Sequence, residues 1–206
     1  MTKDHREFSR WGNPDETLER TNRIREAVEN MVVHLDPKHL RKGIEDTPER
    51  VAKMWVDELT CGYYADPEAI LRKFPADDYD GIVAVKDIPV TSTCEHHLVP
   101  FVGYAHVGYF PGASVVGLSK IPRLVNVFSR RLQIQERLTH QIAESLEEHL
   151  EPRGVIVVVE AEHLCMTIRG VQAPGTKTVT SSVRGLFNTN AENEKEEFFR
   201  MIGRSS

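Results

Sequence analysis

Two short clusters in this chain carry the residue types that bind a borderline-soft metal ion: Cys94-Glu95-His96-His97 near the middle and His163-Leu164-Cys165 toward the end. Between them they hold two of the three cysteines. Thiolate and imidazole are the ligands zinc prefers. Cys94 and His97 form a C-x-x-H pair that a turn can wrap around one ion, while His163 and Cys165, two apart, are expected to share one face of a strand. The clusters meet if each ends a neighbouring strand. Four or five donors are then at hand. Four closing around zinc make a structural site; three leave a place for water and make a catalytic one. Neighbours on an extended chain point to opposite sides, so His96 and His97 are not both expected to reach one ion, and the other is free for proton transfer. Cys61, in Thr60-Cys61-Gly62, is read as an ordinary buried cysteine.

A second group is cationic. Gly117-Leu118-Ser119-Lys120 opens an expected helix and Arg123 follows Lys120 by one turn, so both cations project on the same side near its amino end. Ser119 and the free amides of the first turn add donors, and the helix dipole favours an anion there. A solvated basic face is the plainer account of such a pair; Arg169, just after the second cluster, adds weight to phosphate binding. Gln135-Glu136 sets an amide beside a carboxylate, a pair able to read the donor edge of a purine.

These residues need positioning elements. Leu18, Ile24, Val28, Met31 and Val32 recur at helical spacing. Thr47 can cap a second helix, with Pro48 at its first position and Val51, Met54, Trp55 and Leu59 on one face. Gly62, Pro67 and the acidic run at 77–81 break this pattern, so residues 1–80 read as a helical N-terminal region and 81–206 as a second domain. Strands are expected over 82–88 and 101–110, helices from about Leu118 and over 134–150, and strands over 154–161 and 178–186; a short charged helix over 192–201 follows. The order is β-β-α-α-β-β, an α+β chain with a helical extension.

At 206 residues the chain can bury a full core. An odd, unframed set of cysteines points to a reducing compartment. The polar start, followed by no apolar stretch of signal or membrane length, points to a cytoplasmic protein without a membrane partner. A net charge of -5 argues against a surface built to hold nucleic acid, so any anionic ligand must meet a local cationic patch.

Taken in order, Ser92-Thr93-Cys94-Glu95-His96-His97, Gly117-Leu118-Ser119-Lys120, Gln135-Glu136-Arg137-Leu138-Thr139 and His163-Leu164-Cys165-Met166 with Arg169-Gly170 resemble GTP cyclohydrolase I. The likeness runs from Thr47-Pro48-Glu49-Arg50 to Gly185-Leu186-Phe187. It implies the tunnelling fold, which has the same β-β-α-α-β-β order, with the sheets of several subunits joined into a barrel. It also implies a homo-oligomer, a decamer of two pentamers with active sites between subunits. The implied reaction converts GTP to 7,8-dihydroneopterin triphosphate and formate, the entry to folate and pterin synthesis.

By the same resemblance, Zn2+ is held by Cys94, His97 and Cys165, leaving a fourth position for water, and His96 and His163 are proton carriers. His163 would protonate N7 and His96 would assist ring opening. Glu136 with Gln135 would hold the guanine edge, Lys120, Arg123 and Arg169 would clamp the triphosphate with Arg50 as a fourth, and Ser119 would lie near the ribose. Three other readings compete. A zinc-stabilised binding module would use Cys94, His97, His163 and Cys165 as four closed ligands. A nitrile reductase of the same fold would need a nucleophilic cysteine and NADPH, which the paired clusters disfavour. A zinc nucleobase deaminase lacks its H-x-E and P-C-x-x-C signatures here.

Overall fold

The computed structural model describes residues 13–36, 38, 42–188 and 192–203. They fall into two compact units, the first ending at Ala65 and the second beginning at Asp66.

In the first unit, α1 (Pro14–Leu35) starts at Asn13, whose side-chain oxygen accepts from the Asp15 amide, with Pro14 at the first helical position. Of the apolar set expected on its inner face, Val28 is buried while Leu18 and Met31 are exposed. In α2 (Thr47–Lys53) the cap is Asp46, not Thr47, and no side chain makes a capping bond. The helix then widens into a π-turn, Met54–Leu59, closed where the Thr60 amide donates to Trp55 O at 3.0 Å and its hydroxyl to the same oxygen at 2.7 Å.

The second unit opens with a short helix, α3 (Pro67–Ile70), and a strand, β1 (Lys73–Pro75), which pairs with β4 (Ser114–Val116). That pairing ties the stretch from Asp66 onward, read from the sequence with the N-terminal region, to the sheet-bearing unit. Its centre is a five-stranded sheet in the order β5-β2-β3-β6-β7. The strands are β2 (Val83–Cys94), β3 (Pro100–Phe110), β5 (Leu132–Gln133), β6 (Gly154–His163) and β7 (Lys177–Gly185). Neighbours are antiparallel except β2 and β5. Strand β2 runs on to Cys94, well past the expected Ile88. A bulge between Val85 and Ile88, with Asp87 at φ 56°, absorbs the break in pattern. Pro89 is tolerated because β5 pairs only with Thr93 and Cys94, so at Pro89 the strand has a free edge.

Two helices, α4 (Lys120–Ser129) and α5 (Gln135–Leu150), cover one face. Ile121, Leu124, Val125 and Phe128 from α4 and Leu138, Ile142 and Leu146 from α5 form one core with Phe101, Ala105, Val107, Val155, Val157 and Val159. The alternate residues Ile156 and Val158 point to a second core with Phe110, Phe187 and Phe198, the last from α7 (Glu192–Met201). The apolar run of β6 is thus buried on both sides. Toward the Cys94 end the second face is open, with Val102, Tyr104 and Val179 exposed.

Candidate active site

Strands β2 and β6 flank β3, and since both run antiparallel to it, their C-terminal residues Cys94 and His163 reach the same end of the sheet. The clusters therefore sit on next-but-one strands, not on neighbouring ones as expected. Phe101 of β3 lies between them, in register with Ser92 on one side and His163 on the other.

Beyond Cys94 the chain turns. The Leu98 amide donates to Cys94 O at 2.9 Å, the Cys94 amide to Val99 O at 3.0 Å, and the Glu95 amide to Gln133 O at 3.0 Å. Because this segment is a turn and not an extended strand, Nδ1 of His96 and of His97 both stand near the Cys94 sulfur, at 3.9 and 3.8 Å, yet only His97 joins the donor group, as expected of the pair. Their rings meet edge-on. A second correction concerns His163 and Cys165. The strand stops at His163 and Leu164–Thr167 form a helical turn, α6, so the two side chains do not share a strand face. Cys165 joins Cys94 and His97, the ligand atoms of all three lying within 4.8 Å of one another.

His163 faces elsewhere. Its Nε2 is 2.8 Å from Gln135 Oε1, and its ring stacks on Phe101 with centroids 4.6 Å apart and planes 9° apart. Burial holds its pKa below the ordinary imidazole value, and the nearby Glu136 carboxylate opposes that shift. Among the described residues the donor group thus has three members, and the closed four-ligand reading lacks its fourth.

Gln135 departs from its expected place at the guanine edge. It opens α5 with 1% of its surface exposed, and its Nε2 faces Val159 O at 2.9 Å, Thr178 O at 2.9 Å and Thr180 Oγ1 at 3.1 Å. Of the Gln135-Glu136 pair only the carboxylate is exposed. One turn position on, Arg137 reaches back to Glu95 with two hydrogen bonds, 2.6 and 3.0 Å, which hold that carboxyl below its usual range and fasten the Cys94–His97 turn to α5. Nothing local in the sequence announced this pair, whose members lie on separate elements.

The cations divide. Arg169 is exposed just beyond α6, and its charge acts on the Cys165 thiol. Ser119, at the cap position without a capping bond, precedes Lys120 and Arg123 in the first turns of α4. This end is pinned far from the cysteines: the Val116 amide donates to the Tyr109 hydroxyl at 3.2 Å, and Tyr109 pairs with Val83 at the start of β2. From Tyr109 back to Phe101, beside His163, about eight residues of strand span about 26 Å. Within one chain, Ser119, Lys120 and Arg123 stand at the opposite end of the sheet from Cys94. Arg50 belongs to the first unit, where it donates to Gly43 O at 3.1 Å and pairs with Asp46 at 3.5 Å.

Residues 24–203 match the family model described as GTP cyclohydrolase I. The chain belongs to the GTP cyclohydrolase I family. It is 52% identical over 176 residues to proteins named GTP cyclohydrolase 1 from Mycobacterium bovis (strain BCG / Pasteur 1173P2) and Mycobacterium tuberculosis (strain ATCC 25177 / H37Ra), covering 84% of this chain and 87% of each relative. The same identity and length hold for Mycobacterium avium (strain 104), with 84% of this chain and 86% of that protein covered. A partial likeness to the archaeosine synthase QueF-Like in its apo form has a TM-score of 0.44 at 18% identity, over 52% of this chain and 97% of that one.

As a member of the GTP cyclohydrolase I family the chain is an enzyme, a hydrolase. Its donor set suits a metal. A tetrahedral zinc site with usual bond lengths has sulfur-to-nitrogen edges of about 3.6 Å, and the Cys94–His97 separation is 3.8 Å. Burial, reinforced by the charge of Cys94 and a hydrogen bond with it, pushes the Cys165 thiol up. A divalent cation beside that thiol is what reverses the shift. No helix among the described residues is long and apolar enough to cross a membrane.

Proposed function

We propose that this chain is a zinc-dependent GTP cyclohydrolase I, which hydrolyses the guanine imidazole ring of GTP at C8 to give 7,8-dihydroneopterin triphosphate and formate, the first step of tetrahydrofolate and pterin biosynthesis. The observation that supports this most is the convergence of Cys94, His97 and Cys165 within 4.8 Å, beside an anchored His163, in a chain of this family.

Zn2+ held by Cys94, His97 and Cys165 would lower the pKa of water toward about 7 and so supply the nucleophile for C8. His163 gives a proton to N7, which leaves C8 electron-poor and open to attack. His96, exposed on the turn next to Cys94, moves protons as the ring opens and formate leaves. Glu136 accepts from the guanine N1–H and 2-amino groups, a donor pair that adenine lacks. Arg169, Lys120, Arg123 and Arg50 hold the triphosphate, and Ser119 lies near the ribose.

The separation of Ser119, Lys120 and Arg123 from the cysteines favours a site completed by a second copy, which supplies its α4 terminus to the metal end of the first. This fits a tunnelling fold whose sheets join into a barrel, in a decamer of two pentamers. Residues 81–206 would carry the chemistry, and the N-terminal region would add Arg50. Free thiols at Cys94 and Cys165 suit the reducing cytoplasm, and the reaction calls for neither nucleic acid nor membrane.

Incubation with GTP, with and without prior chelation of zinc, while following formate and the pterin product together, tests this. Both products are expected, and both vanish on chelation. Intact GTP beside folded, metal-loaded protein overturns the proposal.

A further inference from the structure

We infer that Gln135 is a positioning residue for His163: it fixes the ring as the tautomer with hydrogen on Nε2, and leaves Nδ1 as the nitrogen turned away from the amide. The inference deepens the proposed role of His163 and rests on it.

The argument begins with which end of the amide is which. Val159 O and Thr178 O, both 2.9 Å away, are backbone carbonyls and can only accept. The Gln135 nitrogen must face them, because a flipped amide would set its oxygen against two others. Its oxygen therefore faces His163 at 2.8 Å. A carbonyl oxygen brings no hydrogen, so Nε2 must be the donor.

Two hydroxyls lock this orientation. Thr139 Oγ1 donates to Gln135 O at 2.8 Å, and with its one hydrogen committed it can only accept from Thr180 Oγ1, 2.6 Å away. Thr180 Oγ1, having donated its own hydrogen, offers only lone pairs to Gln135 Nε2 at 3.1 Å, whose two hydrogens are shared among it, Val159 O and Thr178 O. Donors and acceptors run in one direction around this ring of groups, and reversing the amide would set its oxygen against a third acceptor, Thr180 Oγ1. The stack on Phe101 sets the plane of the imidazole. The Nε2–H bond to Gln135 and the stack on Phe101 together hold the ring in place.

Position on the helix explains why Gln135 and its neighbour differ. Successive residues at the start of α5 are turned by about 100°, which sends Gln135 into the β6–β7 layer and Glu136 outward.

Nitrogen-15 spectra of the metal-loaded protein labelled in its histidines test the inference, with the His163 signal identified by its loss in His163→Asn. The pattern of an Nε2–H imidazole is expected, and an Nδ1–H pattern overturns the inference. In Gln135→Met, kcat should fall about 10- to 100-fold. KM for GTP should stay within about twofold and bound zinc should be unchanged. A raised KM at unchanged kcat would instead make Gln135 a substrate contact and overturn the positioning role. If Gln135→Met fails to fold, the wild-type spectrum decides alone. Wild-type protein that leaves GTP intact sinks the proposed function, yet the spectrum still judges the tautomer.

Discussion

Phe101 lies flat against His163, its register partner across β3 and β6, with ring centroids 4.6 Å apart and 9° between the planes. A fully buried core residue thus forms the wall of the candidate site. Phe101→Leu keeps most of the apolar volume and removes the flat face. It should cost about 1 kcal/mol of stability and lower kcat by more than that loss explains, with zinc retained. Thermal unfolding and GTP turnover measured on the same preparation check this; turnover that simply follows stability would show that the stack does not steer His163.

The donor group separates two kinds of histidine. Cys94→Ala, His97→Ala and Cys165→Ala should lose zinc and activity together. His96→Ala and His163→Ala should keep zinc and lose activity, by about 100-fold or more where a general acid is removed. Metal analysis beside turnover distinguishes the classes. A His163→Ala protein that sheds its metal would place that residue among the ligands.

Lys120 and Cys165 act on one substrate in the proposed enzyme, though they lie at opposite ends of the sheet in one chain. Lys120→Ala and Cys165→Ala proteins should each be inactive alone. Dissociated, mixed and reassembled, they should recover on the order of a quarter of wild-type activity, the share of sites drawing each half from an intact copy. A mixture no more active than its parts would put the whole site within a single chain.

Glu162 tethers the segment that carries Arg169, accepting from the Gly175 amide and the Thr167 hydroxyl, both at 3.0 Å. The amide, then the hydroxyl, hold its carboxyl below the usual range. A depressed folded value means the tether contributes fully above the ordinary carboxylate pKa and is lost only as pH falls through the lowered one. Proteolytic nicking between residues 168 and 176 should therefore be slow from neutral pH down to the ordinary carboxylate range and speed up below it. In Glu162→Ala it should be fast throughout. A wild-type rate already high at neutral pH would refute the tether.

Much of the scaffold was legible because its patterns are strong. Ile121, Leu124, Val125 and Phe128, spaced for one helical face, all enter one core, and the β-branched run of β6 is a strand buried on both sides. The two clusters that supply the candidate donor group of Cys94, His97 and Cys165 stood out because short Cys and His spacings are rare by chance, though spacing left open which of their side chains would meet. What stayed hidden depends on where the chain bends. The bulge at Asp87 masks the continuation of β2 to Cys94, the turn after Cys94 brings His96 and His97 to the same sulfur, and the helical turn after His163 parts it from Cys165. The direction of Gln135 depends on carbonyls of two strands that come later in the chain, and no local pattern encodes that.

The next-but-one placement of β2 and β6 also orders events during folding. Cys94 and Cys165 are about seventy residues apart along the chain, and their meeting needs β3 laid on β2 and β6 laid on β3, a non-local closure that comes late in folding. Until then a nascent chain offers metal only a Cys-x-x-His pair, a weak and open site. In the proposed enzyme, tight metal uptake would therefore require that three strands have already aligned, and a chain stalled short of β6 would stay unmetallated and inert.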